Sequence, residues 1–254
     1  MKLFFSDYDM TIYINEVIDD GVLPAIKKWR DSGNLFIIAT GRNIFSILDA
    51  VEKHNIEFDY IIANNGSIVL NNKKEILLKK IIEDNIAYDV INFLYNNYND
   101  HVEFVNDSEI IAVKAKNNDS EPLHDVDRII NIDEIYSIKN IIQINKLSSD
   151  VSRTISIADD INKHFNTVVA YANIRYIDIV PKGINKTTGI KYIEEIIKKE
   201  NKTIDRILVA GDSNNDIEMI RKYDGYVQVN AKEDIKKLSN KYFNTITEII
   251  DKNL

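Results

Sequence analysis

Asp7 and Asp9, in Asp7-Tyr8-Asp9-Met10-Thr11, place two carboxylates at i and i+2 directly after the apolar run Leu3-Phe4-Phe5. Leaving a buried strand together, both can enter one crevice. One ionised carboxylate can then serve as nucleophile and metal ligand while the other handles protons. Thr40-Gly41-Arg42 follows a second apolar run and precedes a helix. Its hydroxyl, its bare glycine amide and the free N–H groups of the helix end make an anion site. Lys186 begins a helix, where a cation opposes the helix dipole and asks for a partner anion, either a phosphate or an aspartate cluster. Gly211-Asp212-Ser213-Asn214-Asn215-Asp216 follows another apolar run: glycine permits a sharp turn, Asp212 emerges at a strand tip and Asp216 opens a helix. Oxygen ligands without sulfur suit Mg²⁺. Taken singly, each group has an ordinary reading: an Asp-rich turn, a strand–helix junction, a solvated lysine, a capped helix start. Their shared position at strand tips is what binds them into one candidate site.

The elements that must position these residues follow from periodicity. Leu3–Phe5, Leu35–Ala39 and Tyr60–Ala63 are short continuous apolar runs, the pattern of strands buried on both faces. Between them, Val22–Ser32 reads as a helix with Pro24 in its first turn and Gly33 as its stop, and Asn43 caps a second helix reaching about His54. The order βαβαβ implies a parallel sheet with helices on both faces. The last 70 residues repeat it: helix Asn185–Glu200, strand Arg206–Ala210, helix Asp216–Lys222, strand Tyr226–Val229.

The middle differs. A hairpin around Asn71-Asn72-Lys73 precedes a helix at Asp84–Asn97. Strands follow at Val102–Val105, Ile110–Val113 and Ile141–Ile144, then a helix near Asp150–His164 and strands at Val168–Ala170 and Ile177–Val180. The expected architecture is therefore α/β, a doubly wound, Rossmann-like parallel sheet formed by residues 1–81 and 182–254. An α+β unit of residues 82–181 is inserted into it. In open α/β sheets ligands gather beyond the carboxyl ends of the strands, where all four groups fall.

Composition narrows the chemistry. Apolar residues make up 44% and charged residues 28%, ordinary globular usage that excludes wholesale disorder. The chain has no cysteine, so thiolate zinc sites, cysteine nucleophiles and disulfides are out. A net charge of −8 disfavours a general nucleic-acid or anionic-membrane binder, although a local cation can still draw in a small phosphorylated substrate. The amino-terminal apolar run is shorter than the roughly 7–15 residues of a secretory signal core, and no stretch approaches the roughly 20 of a membrane span. A cytoplasmic protein is expected; oligomeric state is not legible.

These motifs together resemble the haloacid dehalogenase-like (HAD) hydrolase superfamily, specifically its Cof-type (type IIB) phosphatases. Asp7-Tyr8-Asp9-Met10-Thr11 matches the D-x-D-x-T signature, with Met10 in place of the more usual glycine. Thr40 within Ala39-Thr40-Gly41-Arg42 matches the second motif. Lys186 matches the third, followed by Thr187 where glycine is common, and Gly211–Asp216 the G-D-x-x-N-D fourth. Asn65-Gly66 and Asp178-Ile179-Val180-Pro181 match further runs of the subfamily.

The resemblance implies that Asp7 forms an aspartyl-phosphate and that Asp9 protonates the leaving alkoxide, then deprotonates the attacking water. Mg²⁺ would be held by the Asp7 carboxylate, the Asp9 carbonyl and Asp212, with Asp216 in or beside that shell. Thr40, Gly41, Lys186 and Asn215 would bind phosphate or position the aspartate. The inserted unit would be a cap that closes over the crevice and reads the leaving group. Tyr171, Asn173 and Arg175 are candidates to face the substrate, alongside the reading of an exposed loop. For Arg42, a substrate contact and a structural tie stand open. Hydrolysis of small phosphorylated metabolites such as sugar phosphates is the expected activity; a sugar phosphomutase and a non-catalytic ligand-binding regulator are the alternatives.

Overall fold

Every residue of the strand Lys2–Ser6 after the first is buried, and pleating sends its side chains to two different sets of neighbours. Leu3 and Phe5 join one apolar cluster with Ile37, Ile62, Ile190, Ile193 and Val209. Phe4 points the other way, its ring edge-on to Trp29 at 6.1 Å and to Phe36 at 5.6 Å. A strand with apolar partners on both faces must be covered by helices on both faces, which is why the run reads as continuously apolar rather than alternating.

The computed structural model describes residues 1–116, 125–148, 150–173 and 175–254. In chain order it begins with β1 (Lys2–Ser6), α1 (Val22–Asp31), β2 (Leu35–Ala39), α2 (Ile44–Lys53), β3 (Tyr60–Ala63), β4 (Ile68–Asn71) and β5 (Ile76–Lys79). Next come α3 (Asp84–Asn97), β6 (Val102–Val105), β7 (Ile110–Val113), β8 (Arg128–Ile130), β9 (Gln143–Leu147), α4 (Val151–His164), β10 (Val168–Asn173) and β11 (Tyr176–Pro181). The chain closes with α5 (Lys186–Lys199), β12 (Arg206–Gly211), α6 (Ile217–Lys222), β13 (Asp224–Gln228), α7 (Glu233–Lys236), β14 (Tyr242–Phe243) and α8 (Ile246–Asn253). Two compact units result: Met1–Leu78 with Asn185–Leu254, and Lys79–Ile184.

In the first unit an eight-stranded sheet runs β14-β13-β12-β1-β2-β3-β4-β5. The pairs from β14 to β3 are all parallel. The expected parallel sheet is thus present, with the β4–β5 hairpin appended and β4 antiparallel to β3. Strand order reverses beside β1, where ligands of doubly wound sheets collect. Helix starts match their capping signals: the Asn43 side chain accepts from Ser46 N at 2.9 Å, and that of Asn185 from Thr188 N at 3.1 Å.

The second unit carries a six-stranded sheet in the order β10-β11-β9-β6-β7-β8. Its core joins residues of α3 and α4, such as Val90, Leu94, Ile157 and Ile161, to Phe104, Ile144 and Ile179 of the strands. Hairpin β10–β11 is longer than its apolar pattern suggests. Its pairing extends through Tyr171 with Asp178 to Asn173 with Tyr176, so Tyr171 and Asn173 are strand residues and not members of a loop. Among the described residues, no helix is long and apolar enough to cross a membrane.

Candidate active site

β1 and β12 run parallel with Ser6 opposite Ala210, and Asp7 N donates to Ala210 O at 2.9 Å. Asp7 therefore leaves its strand beside the segment that delivers Asp212 and Asp216. That second segment turns because Gly211 has no Cβ: one built there would lie 2.4 Å from Asp216 Cγ. Asp216 Oδ2 accepts from the amides of Asp212 and Ser213, both at 3.0 Å, which holds the turn. Its other oxygen, Oδ1, accepts from Lys186 Nζ at 2.6 Å, and the same ammonium donates to Asp7 Oδ1 at 2.7 Å. Asp216 thus caps its turn and binds the lysine, so the ordinary reading and the chemical one are both true of it.

Lys186 stands at the first position of α5, where the dipole disfavours it, and the anions it requires are these two aspartates. The start of α5 is set in turn by the short helical turn Asn64–Gly66, whose three residues have φ of 51°, 52° and 105°. Asn and Gly tolerate that left-handed region best. A Cβ on Gly66 would fall 2.1 Å from Asn185 O, so the turn and the helix start meet backbone to backbone. Asn215 Nδ2 donates to Asn65 Oδ1 at 2.9 Å, joining two motifs that lie far apart in the chain.

The buried charges do not balance. Asp7 and Asp216 are 4% and 0% exposed, Lys186 1%. Oxygens of Asp7, Asp212 and Asp216 lie within 4.8 Å of one another. Burial, with repulsion from Asp216 and Asp212, holds the Asp7 carboxyl well above the usual range despite Lys186. Burial and then Asp216 push Asp212 up to about 7. Burial opposes the charge on Lys186, but Asp216 and Asp7 outweigh it and drive that pKa upward. One ammonium facing three carboxylates leaves an excess of negative charge, and a hard divalent cation with oxygen ligands would relieve it. The donor set fits Mg²⁺ in charge, ligand type and spacing.

Asp9 lies outside this carboxylate cluster. Its two oxygens accept from Arg42 Nε at 2.8 Å and Arg42 Nη2 at 2.6 Å, a two-pronged ion pair that ties the first motif to the second. Of the two readings open for Arg42, the structure displays the tie. Thr40 is buried, and its Oγ1 accepts from Arg42 N at 3.1 Å. Gly41 lies between them. The 40–42 turn is pinned to the next one by Asn64 N on Arg42 O at 2.8 Å and Asn65 N on Thr40 O at 3.1 Å. The end of α2 is less open to an anion than expected: the Ile44 amide is taken by Asn64 Oδ1 and the Ser46 amide by Asn43 Oδ1. Thr40 and Gly41 remain as candidates there, while those two amides are corrected to structural donors.

The three further candidates lie in the second unit. The hydroxyl of Tyr171 donates to Ile184 O at 3.1 Å, Asn173 ends β10, and Arg175 Nε donates to Ser148 O at 3.0 Å. Sequence reasoning missed the Arg42–Asp9 pair and the Asn65–Asn215 bond. The Asn-Asn-Gly run, with its left-handed turn, was a usable signal for the second.

A family model described as haloacid dehalogenase-like hydrolase matches residues 4–249. An uncharacterised protein of Mycoplasma capricolum is 28% identical over 248 residues, 87% of this chain and 88% of its own length. The 5-amino-6-(5-phospho-D-ribitylamino)uracil phosphatase of Bacillus subtilis is 23% identical over 258 residues, covering 99% of this chain and 92% of that one. Among solved structures, a sugar phosphatase of HAD subclass IIB superposes with a TM-score of 0.79 at 21% identity, covering 99% of this chain and 98% of its own.

Proposed function

This chain belongs to the haloacid dehalogenase-like hydrolases, and we propose that it is a Mg²⁺-dependent phosphatase of small phosphorylated metabolites, sugar phosphates foremost. The observation that carries this reading is the buried ammonium of Lys186 bridging Asp7 and Asp216, with an oxygen of Asp212 in the same cluster. Three sequence motifs separated by up to about 200 residues meet there, with three carboxylates around one ammonium. The phosphatase among the relatives and the sugar phosphatase among the structural neighbours support the substrate class.

In the proposed reaction an oxygen of Asp7 attacks phosphorus and the bond to the leaving alcohol breaks, Asp9 giving that oxygen its proton. Water then attacks the aspartyl-phosphate and Asp9 takes a proton from it. The bond to Asp7 breaks, releasing inorganic phosphate and restoring the Asp7 carboxylate and the protonated Asp9. Lys186, Thr40, Gly41 and Asn215 hold the nonbridging oxygens, where fixed positive charge and donors oppose the charge that builds on the phosphoryl group. Asp7, Asp212 and Asp216 would hold the divalent ion, which supplies further charge compensation when bound. The Lys79–Ile184 unit is assigned the choice of leaving group.

Phosphate release should be measured on p-nitrophenyl phosphate and a panel of sugar phosphates, nucleotides and cofactor phosphates, with Mg²⁺ and with chelator. Asp7→Asn should abolish turnover on every substrate, and chelation should do the same to the wild type. Undiminished release by Asp7→Asn would end the reading.

A further inference from the structure

We propose that Arg42, seated on the ring of Tyr8, is the positioning residue for the Asp9 carboxylate and sets the direction from which Asp9 meets the leaving oxygen. The inference rests on the phosphatase reading above and adds a residue to it.

Asp9 has little else to hold it. Its side chain is 44% exposed, and among the described residues the side chain placed on its carboxylate is that of Arg42. An exposed aspartate with no partner samples several rotamers. Here both oxygens are gripped by one rigid planar fork, at 2.8 and 2.6 Å. The grip occupies one lone pair on each oxygen and leaves others free for a proton, so a held carboxylate can still transfer one.

The fork itself is fixed from three sides. Arg42 Cζ lies 4.6 Å from the centroid of the Tyr8 ring, within cation–π range. That ring is fully buried and stacks on Tyr13 at 5.6 Å and 17°. The backbone of Arg42 is bound at both ends, its amide to Thr40 Oγ1 and its carbonyl by Asn64 N. The residue between the two aspartates of the first motif is therefore the seat for the arginine that aims the second of them. A substrate contact by Arg42 fits less well, because Nε and Nη2 are both committed to Asp9 and one face of the guanidinium lies against Tyr8.

General-acid assistance matters most where the leaving oxygen is most basic, and this gives the test. kcat/KM, which reports formation of the aspartyl-phosphate, should be measured on phenyl phosphate and p-nitrophenyl phosphate. The proteins are wild type, Arg42→Lys, Arg42→Ala, Asp9→Asn and Asp9→Asn/Arg42→Ala, with thermal melts to establish that each is folded. Arg42→Ala should lose about 100-fold on phenyl phosphate and less than about 10-fold on p-nitrophenyl phosphate, in keeping with the usual worth of a positioned acid. Arg42→Lys, which keeps the charge without the two-pronged grip, should fall between. Adding Arg42→Ala to Asp9→Asn should cost nothing more, because the residue acts through Asp9.

Equal losses on the two substrates, or losses that multiply in the double variant, would overturn the proposal and make Arg42 a substrate contact or a structural prop. Arg42→Lys serves alone if Arg42→Ala does not fold: a loss on it that ignores the leaving group overturns the proposal equally. Full activity in Asp7→Asn would instead sink the phosphatase reading, a result distinct from either.

Discussion

Lys186→Met removes the one cation from a cluster of buried carboxylates while keeping most of the side chain's bulk, and it should cost more stability than any surface charge. Lys186 is 1% exposed and lies 2.7 Å from Asp7 Oδ1 and 2.6 Å from Asp216 Oδ1. At an effective dielectric of 20 each contact is worth about 6 kcal/mol of Coulomb attraction, and two carboxylate oxygens within 4.8 Å repel by about 3.5 kcal/mol or more. Relaxation and proton uptake absorb most of that sum, and buried pairs broken on one side lose about 3–5 kcal/mol. That is the range expected at pH 7 in chelator, measured by urea unfolding. The loss should depend on pH. Without the lysine, the folded-state pKa of Asp7, already raised by burial, climbs further above its unfolded value. The folded variant then binds more protons than the unfolded chain, and its stability falls as pH rises from about 5 to 7. Mg²⁺ should return part of the deficit, about 2.7 kcal/mol at a hundredfold excess over its Kd. A loss under about 1 kcal/mol at pH 7, or one equal at pH 5 and pH 7, would refute the charge balance assigned to the site.

Two further outcomes are expected. Lys146 in β9 is fully buried with its ammonium on the carbonyls of Asp100 (2.6 Å) and His101 (3.2 Å), and burial lowers its pKa from 10.5 to about 8. The unfolded chain therefore holds the extra proton between those values, and wild-type stability should gain about 3 kcal/mol across that window relative to Lys146→Met. The same stability difference between wild type and Lys146→Met at pH 8 and pH 10.5, measured by chemical denaturation, would contradict this. Gly66 and Gly33 both have positive φ, at 105° and 79°. A Cβ on Gly33 meets nothing within 4 Å, whereas one on Gly66 strikes the Asn185 carbonyl at 2.1 Å. Gly33→Ala should cost about 1–2 kcal/mol, the strain of the left-handed region alone. Gly66→Ala should exceed about 4 kcal/mol, since neither backbone can yield cheaply. Similar melting temperatures for the two variants would rule out the close approach that sets Lys186.

What the chain discloses in its local patterns, and what it withholds, follows one physical division. β1, β2 and β3 are legible because strands covered on both faces are apolar throughout, whatever packs on them. β14 is two residues long and β8 three, with Arg128 and Ile129 exposed, so their pairing comes from neighbouring strands and leaves no local pattern. α8 escapes for a different reason. Ile246, Ile249, Ile250 and Asn253 bury one face at helical spacing, a signal that is present in the residues but confined to two turns. The site divides in the same way. Lys186 stands out because a cation at a helix start violates a local preference, so the amino-acid order alone advertises a missing partner. Arg42 and Asp9 violate nothing where they stand. Their pairing across 33 residues depends on the loop turning back at Met10, with φ of 59°, and on the bridge that sets Asp9 beside Tyr13. Local rules expose a functional residue when it breaks them. A residue that satisfies them, and acts only through a distant partner, becomes visible when the chain is folded.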